Sequence, residues 1–247
     1  MFENYKLEIL YQDEYLVAIN KPSGLLVHKS MIDKHEIYYA MKILSQQIGK
    51  WVYPVHRLDK PTSGVLLFAL DSHTAKLISE QFTQHTIVKQ YICVVRGYVE
   101  KVGVIDYPLS VKLDRIANKD VFTQKEPQEA ITKYQLLDTV ELDHTIGRYD
   151  KTRYSLVKVT PQTGRKHQIR RHLKHISHHL LGDTKYGRGE HNKFIREKFD
   201  CHRLLLHALS LTINHPYTNE TLVIKAKVDK VFSSILDEFF PDKLDLY

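Results

Sequence analysis

The chain has 247 residues, of which 43% are hydrophobic, a fraction that supports a sizeable core. Lysine and arginine exceed aspartate and glutamate by 36 to 29, and this basic excess indicates a polyanionic partner only where the charges cluster. No linker-like stretch, repeat or low-complexity segment divides the chain, so residues 1–247 are predicted to form one continuous domain.

The first elements in chain order are a strand pair, a turn and a helix. Residues 7–11 and 15–20 have strand-like composition on either side of a short polar turn, and residues 21–24 (KPSG) form a Pro/Gly turn after them. Apolar side chains then recur at helical spacing at Ile37, Met41, Leu44 and Ile48. This spacing predicts a helix over residues 36–48 that ends at Gly49.

A loop rich in charged residues comes next, at residues 56–64 (HRLDKPTSG). It places one carboxylate, Asp59, close to an arginine, a histidine and a lysine, and it leads into the apolar run 65–70, a predicted buried strand. Neighbouring cations favour the charged form of a carboxylate, which is then a poor proton donor but a usable nucleophile or electrostatic partner. The alternative from spacing alone is an Arg–Asp pair that stabilises a surface turn.

The rest of the chain continues to alternate between helical and extended segments. Asp71 and Ser72 are suited to cap a helix, residues 100–130 are polar and rich in turns, and residues 215–220 predict a hairpin turn. Further strands are predicted at residues 88–95, 154–160, 204–208 and 211–214. Hairpins without regular βαβ units favour an α+β fold around a mixed, mostly antiparallel sheet with flanking helices.

Basic residues cluster in residues 161–182, which contain no aspartate or glutamate. A helix is predicted to begin there near Gly164. Its apolar face would consist of Ile169, Leu173, Ile176 and Leu180. A row of Lys166, Arg170 and Lys174 would lie on another side, with Arg171 beside it. Like charges at this spacing repel each other, so a phosphate backbone or a buried carboxylate would explain the row; the alternative is a basic face exposed to solvent.

Several of these segments together resemble the signature motifs of the RluA-type pseudouridine synthases. The two longest are HRLDKPTSG at residues 56–64 and PQTGRKHQIR at residues 161–170. Shorter similar segments are NKPSGLLVH (20–28), KQY (89–91), GDTKYG (182–187), LHA (206–208) and HP (215–216). The resemblance therefore runs from residue 20 to residue 216, and it implies the fold of that family's catalytic domain, with a central active-site cleft.

The resemblance implies a reaction without a cofactor, in which a uridine of RNA is isomerised to pseudouridine after its base is flipped out. Asp59 is then the nucleophile, attacking either C1′ of the ribose or C6 of the base. Arg170 holds Asp59 ionised and correctly oriented, while Tyr91 stacks on the base and helps to remove the C5 proton. Arg57 or His56 is expected to occupy the space that the flipped base leaves.

Within the family, the sequence is most similar to the branch of tRNA pseudouridine synthase C, which modifies uridine 65 of tRNA. The similarity lies in VHKS (27–30), GRYDKTRY (147–154) and TGRKHQIRRH (163–172), together with the expected absence of an S4-like domain before the catalytic core. One departure is Leu180, where a proline is usual in the family, and it is expected to alter a turn rather than the chemistry. The alternatives are an rRNA pseudouridine synthase of the same family and a non-catalytic RNA-binding protein.

The expected partner is RNA, and tRNA in particular, with Lys166, Arg171 and Lys174 carrying affinity for its backbone. No cofactor is expected, because the sequence has neither a GxGxxG nor a P-loop motif. No metal is expected either, because the histidines of residues 174–179 lack a second ligand cluster. The sequence has no signal-peptide pattern and no apolar run long enough to span a membrane, so a cytoplasmic location is expected.

Overall fold

The computed structural model describes residues 5–29, 36–110 and 126–242, and these contain a large sheet with helices on both faces. The strands in chain order are β1 (Glu8–Gln12), β2 (Leu16–Lys21), β3 (Tyr53–Pro54), β4 (Ser63–Ala69), β5 (Val88–Arg96), β6 (Val102–Asp106), β7 (Ile131–Leu142), β8 (Thr152–Pro161), β9 (Leu206–Asn214) and β10 (Thr221–Lys225). The helices are α1 (Ala40–Ile48), α2 (Ser72–Thr83), α3 (Gln168–His175), α4 (Gly189–Phe199) and α5 (Lys230–Phe239).

Neighbouring strands follow the order β1-β2-β4-β9-β5-β8-β7-β6 across the sheet, while β3 pairs with β4 and β10 pairs with β9. Of these named pairs, β4 with β9 is parallel and the others are antiparallel. The predicted α+β class with a mixed, mostly antiparallel sheet is therefore confirmed. Strand β9 comes late in the sequence, yet it lies in the middle of the sheet between β4 and β5.

Side chains alternate along the strands, so each strand contributes apolar groups to both faces of the sheet. On one face, Ile19 of β2 packs with α1, and Val157 of β8 packs with α3. On the other face, Leu67 of β4 packs with α2, while Leu156 of β8 packs with α4 and α5. Tyr91 of β5 contacts both clusters of the first face. Tyr91 therefore lies where the apolar cluster beneath α1 meets the apolar cluster beneath α3.

The parallel contact between β4 and β9 requires a glycine at position 64. The backbone of Gly64 is in the left-handed region, at φ +108°, and a Cβ atom there would lie 2.2 Å from the carbonyl oxygen of Ala208. A side chain does not fit so close to a neighbouring backbone. The glycine that ends the HRLDKPTSG segment thus allows β4 to lie directly against β9.

Most of the elements predicted in the first half of the chain are present. The strand pair is β1 and β2, the helix capped by Asp71 is α2, and the apolar runs on either side of α2 are β4 and β5. The Asp71 carboxylate accepts a hydrogen bond from the N–H of Thr74, as expected of an N-cap. The first helix begins at Ala40 rather than at residue 36, because Tyr39 is extended and bridges to Leu26.

The second half of the chain departs further from the prediction. The two strands predicted at residues 204–208 and 211–214 are one strand, β9, whose pairing with β5 contains a bulge. Helix α3 ends at His175, so Leu180 is not on its apolar face and instead bridges to Val95. Of the polar segment 100–130, residues 111–125 lie outside the described residues. No helix in the described ranges is long and apolar enough to span a membrane.

Candidate active site

The loop that carries Asp59 is fixed by the Pro/Gly turn that precedes it in the sequence. The Lys21 ammonium donates hydrogen bonds to the carbonyls of Pro22, Leu25 and Lys60 at 2.8, 2.8 and 3.2 Å. Lys21 is completely buried, and burial lowers its pKa to about 7, although the charge of Asp59 opposes this fall. These bonds join the NKPSG and HRLDKPTSG segments into one support for the carboxylate.

Asp59 and Arg170, which come from the two longest motifs, are in direct contact. Nη1 of Arg170 donates a hydrogen bond to Oδ2 of Asp59 at 3.1 Å. The Asp59 side chain is 24% exposed and the Arg170 side chain only 5%, so solvent reaches the carboxylate while the guanidinium is buried behind it. The pairing predicted between the two residues is therefore present. Their part in a reaction remains a prediction.

A second carboxylate, that of Asp183, holds Arg170 in place. Nε and Nη2 of Arg170 each donate to Asp183 at 2.8 Å, which makes a bidentate pair. The Asp183 side chain is fully buried and also accepts hydrogen bonds from the N–H groups of Lys185 and Tyr186. Burial by itself would raise the pKa of Asp183, but the hydrogen bonds and the charge of Arg170 outweigh burial and lower it.

Sequence reasoning gave Asp183 no role, although a signal was available. Asp183 is the first acidic residue after the acid-free stretch 161–182, and it lies within the GDTKYG segment. An acidic residue at the end of such a basic stretch is a natural partner for a buried member of it.

His167 is the third residue next to Asp59. Its backbone is left-handed, at φ 55°, where it forms the N-cap of α3. Its Nε2 lies 3.8 Å from Oδ1 of Asp59, and its Nδ1 lies 3.0 Å from the hydroxyl of Tyr186. Burial lowers the pKa of His167 to about 4, so the imidazole is neutral at pH 7 and Arg170 is the cation that pairs with Asp59. Sequence reasoning included His167 only as one member of the basic cluster.

Tyr91 lies on β5 next to the bulge in the pairing with β9. Burial raises the pKa of Tyr91, and the negative charge of Asp59 raises it further. The phenol is therefore protonated at neutral pH. The part of Tyr91 in a reaction remains a prediction.

A buried polar network supports the start of β4, directly after the loop. Oγ of Ser63 accepts a hydrogen bond from Nη2 of Arg203 at 2.7 Å and lies 2.7 Å from Nδ1 of His207. Nε2 of His207 donates to the carbonyl of Ala226 at 3.1 Å, because a carbonyl can only accept, and Nδ1 therefore accepts from Ser63. Arg203 also pairs with Asp229. Burial lowers the pKa of His207 to about 4, which keeps this ring neutral.

The basic row predicted for α3 does not form. The helix begins at Gln168, so Lys166 precedes it, and Arg170 points inward and is buried. Lys174 is exposed on the helix. Two carboxylates account for Arg170, which is one of the two explanations that the sequence left open. Lys166 and Arg171 instead line a cavity of about 180 Å³.

His56 and Arg57 have different surroundings. Nε2 of His56 accepts a hydrogen bond from the N–H of Leu67 at 3.0 Å, and its ring packs against Phe82 of α2. Burial lowers the pKa of His56 to about 3, so the ring is a neutral acceptor. The ring is therefore held by contacts within the fold, and the expected role of His56 beside the flipped base remains a prediction. Arg57, the other residue of this pair, is exposed.

The histidines of residues 174–179 have structural contacts of their own. His175 stacks on Tyr107 at a centroid distance of 3.7 Å, while His178 and His179 lie within hydrogen-bonding distance of backbone carbonyls. Within residues 5–29, 36–110 and 126–242, no group of three or more His, Cys, Asp or Glu side chains is arranged to hold a metal ion.

Comparisons with known proteins point to one family. A family model described as RNA pseudouridylate synthase matches residues 15–175. The tRNA pseudouridine synthase C of Vibrio parahaemolyticus is 51% identical over 234 residues, which cover 95% of this chain and 95% of that protein. The protein of the same name from Haemophilus ducreyi is 52% identical over 235 residues, or 95% and 96% of the two chains. The structure of human RNA pseudouridylate synthase domain containing 4 superimposes with a TM-score of 0.67 at 27% identity, over 93% of this chain and 91% of that one.

Proposed function

The chain belongs to the RNA pseudouridylate synthase family, and we propose that it isomerises uridine 65 of tRNA to pseudouridine with Asp59 as the nucleophile. The reaction breaks the bond between N1 of uracil and C1′ of the ribose, turns the base and joins C5 to C1′. C5 loses a proton and N1 gains one, so the composition of the RNA does not change. The protein must therefore supply a nucleophile, a base and a pocket that retains the detached uracil.

The observation that carries the proposal is the contact between the partly exposed carboxylate of Asp59 and the buried guanidinium of Arg170. This guanidinium also forms a bidentate pair with the carboxylate of Asp183. Asp183 takes Nε and Nη2 of Arg170, and only Nη1 remains for Asp59. Arg170 thus orients Asp59 through one bond and shares its positive charge between two anions. Asp59 keeps negative charge for an attack, at either C1′ or C6, while its direction is fixed.

Tyr91 would stack on the uracil and act as the base for C5. In the resting protein its phenol is protonated, because burial and the charge of Asp59 both raise its pKa. Once Asp59 has formed a covalent bond to the substrate, that carboxylate no longer carries a charge, and one cause of the raised pKa disappears. To act as the base, Tyr91 would first have to give up its phenol proton, for which N1 of the detached uracil is the acceptor, and it would then take the proton that C5 loses, so that the phenol ends as it began.

The remaining site residues would bring the nucleotide into the site. A base in a duplex is out of reach of Asp59, so it must be flipped out of its stack. Arg57, which is exposed beside the nucleophile, would fill the space left by the base. Lys166, Arg171 and Lys174 would bind the phosphate backbone.

The choice of tRNA is supported by relatives that match nearly the whole chain. The proteins from Vibrio parahaemolyticus and Haemophilus ducreyi both carry tRNA in their names. The proposed uridine lies in a helical stem, where an A-form duplex offers side chains little base-edge information. Recognition would then depend on shape and backbone contacts, which fits a basic surface beside the site. A cytoplasmic location is part of this proposal.

The test uses tRNA transcripts labelled with tritium at C5 of uridine, because joining C5 to C1′ releases that tritium. We expect release by the unaltered protein and pseudouridine at position 65 when the product is mapped. Asp59→Asn keeps the shape of the side chain but removes its charge, so turnover should fall by at least about 1,000-fold while affinity for tRNA is retained. Asp143→Asn is the matched control, because that carboxylate is 90% exposed and away from the site.

Three outcomes separate the parts of the proposal. Activity of the Asp59→Asn protein within tenfold of the unaltered protein would show that Asp59 is not the nucleophile. Modification confined to rRNA fragments in a parallel assay would replace the substrate and leave the reaction intact. Binding of RNA without pseudouridine in either substrate would favour a non-catalytic RNA-binding protein.

A further inference from the structure

The cavity of about 180 Å³ beside the site is lined by four basic side chains and bordered by His167 and Tyr186. The basic residues are Arg165, Lys166, Arg171 and Lys185. None of the described residues that line it is an aspartate or a glutamate. We call this cavity the cationic pocket.

Its two arginines are held in place by neutral partners. Nε of Arg165 donates to the carbonyl of Glu129 at 3.0 Å, and Nη2 of Arg171 donates to Oγ of Ser110 at 3.3 Å. Neither bond neutralises a positive charge, and each guanidinium has further N–H groups to donate. Both arginines are therefore oriented before a ligand arrives, and both retain their charge.

The lysines of the cationic pocket act on the histidine in its wall. The charges of Lys185 and Lys166 add to the effect of burial in lowering the pKa of His167. Asp59 and Asp183, the carboxylates of the adjoining site, are already bonded to Arg170. Positive charges gathered in this way repel each other, and an anion in the pocket would remove that repulsion.

The position of the cationic pocket identifies the anion. His167 forms part of its wall, and Nε2 of the same ring lies 3.8 Å from Oδ1 of Asp59. A ligand in the pocket is thus separated from the proposed nucleophile by one side chain. When the ribose of the target nucleotide lies against Asp59, the anionic groups of RNA within one nucleotide of it are phosphodiesters.

We propose that the cationic pocket binds one specific phosphodiester of the RNA strand next to the target uridine. This inference rests on the proposed function and goes beyond it. A pocket that receives a single linkage fixes the register of the strand, and so selects which nucleotide reaches Asp59. Lys174, which does not line the cationic pocket, would instead contact the backbone without regard to register.

The experiment measures binding of the full chain to a short stem-loop RNA that carries the target uridine. Each linkage around this uridine is replaced in turn by an uncharged methylphosphonate. For the unaltered protein, we expect that neutralising one particular linkage lowers the affinity for the RNA by about tenfold, more than neutralising any other linkage does. Lys185→Gln should lose about tenfold with the native RNA, and should lose nothing more when that same linkage is neutral.

Two further measurements sharpen the test. Lys185→Gln should make the dependence of log Kd on log salt shallower by about 0.7 to 0.9, the effect of one phosphate contact. Lys76→Gln is the matched control, because Lys76 is exposed on α2, on the opposite face of the sheet, and its removal should leave both quantities unchanged. The same comparison with neutral linkages is made with Arg171→Gln, which removes a different charge from the pocket. Thermal unfolding verifies that each variant is folded.

The inference would be overturned if the loss of affinity from Lys185→Gln and the loss from a neutral linkage added together at every linkage tested. An affinity of Lys185→Gln and Arg171→Gln equal to that of Lys76→Gln would overturn it as well. Tritium release by the unaltered protein is measured with the same RNA. If tritium is released but no single linkage shows the expected loss of additivity with Lys185→Gln, only the proposal for the cationic pocket is contradicted. If no tritium is released, the proposed function is contradicted, and the affinity measurements still decide whether the pocket binds a phosphodiester.

Discussion

Replacing Asp183 and Asp59 by asparagine, one at a time, should separate stability from activity, because the two carboxylates share Arg170 unequally. Asp183 is fully buried and accepts two hydrogen bonds from the guanidinium at 2.8 Å. Asp59 is 24% exposed and accepts one at 3.1 Å. An asparagine at position 183 would turn an NH₂ group toward a donor, so at least one of the two bonds is lost.

The expected magnitudes follow from burial. Removing one partner of a buried ion pair costs about 3 to 5 kcal/mol, and because Arg170 keeps Asp59 we expect the lower value for Asp183→Asn. Asp59→Asn should lower the free energy of unfolding by only about 1 kcal/mol, since Arg170 remains paired with Asp183. With an m-value of about 3 kcal/mol/M, the urea midpoints should fall by about 1 M and about 0.3 M.

The assay combines urea unfolding at neutral pH with single-turnover tritium release from the folded variants. Asp59→Asn should be nearly as stable as the unaltered protein and inactive. Asp183→Asn should be clearly destabilised and slowed, because Arg170 no longer has a fixed orientation. The folded-state pKa of Asp183 is lowered below its usual value of 3.8, so its contribution to stability is present above that pH and is lost as the pH falls through the lowered value.

The outcome that would refute this reasoning is a reversed order of the two variants. If Asp59→Asn lowers the urea midpoint as much as Asp183→Asn or more, Arg170 depends chiefly on Asp59, and Asp183 is not its anchor. A second check is acid: the difference in midpoint between the unaltered protein and Asp183→Asn should shrink below about pH 4. A difference that persists unchanged would point to packing rather than charge.

Three further predictions concern single residues. Arg170→Lys keeps the charge but loses the planar fork, so the single-turnover rate should fall by at least about 100-fold with affinity for RNA unchanged; a fall in affinity alone would make Arg170 a backbone contact. Tyr91→Phe keeps the stacking ring, so binding should persist while the rate falls by about 100-fold or more; a rate within tenfold would limit Tyr91 to stacking. The lowered pKa of His207, about 4 against 6.5 unfolded, predicts stability that is complete above pH 6.5 and declines toward pH 4, and His207→Gln should show a weaker decline in urea midpoints over that range.

The sequence predicted those parts of the fold and the site that depend on local patterns or on long motifs. The strand pair β1 and β2, the cap at Asp71 and the buried strand β4 follow from strand-like composition, N-cap chemistry and a continuous apolar run. The contact between Asp59 and Arg170 spans 111 positions, and only the motif resemblance could place these residues together.

The parts that sequence reasoning missed depend on long-range packing. Strand β7 was not predicted, because a bulge between Leu136 and Asp138 interrupts its alternation. The inward turn of Arg170 was not predicted from spacing, because it is decided by a carboxylate in the loop after α3. The structural contact of His56 was not predicted for a similar reason: its ring accepts a hydrogen bond from the N–H of Leu67, a contact that no local pattern indicates.

The central position of β9 has a consequence for synthesis on the ribosome. Asp59, Tyr91 and Arg170 are all translated before β9, yet β9 separates the strand that follows Asp59 from the strand that carries Tyr91. A nascent chain that ends before residue 206 can form β1, β2 and β4, but it has nothing to join them to β5. The edges of β4 and β5 therefore stay unpaired until Leu206–Asn214 leaves the ribosome and inserts between them. The active site would therefore assemble in one late step, and a release of the chain before that point would leave two unpaired sheet edges prone to aggregation.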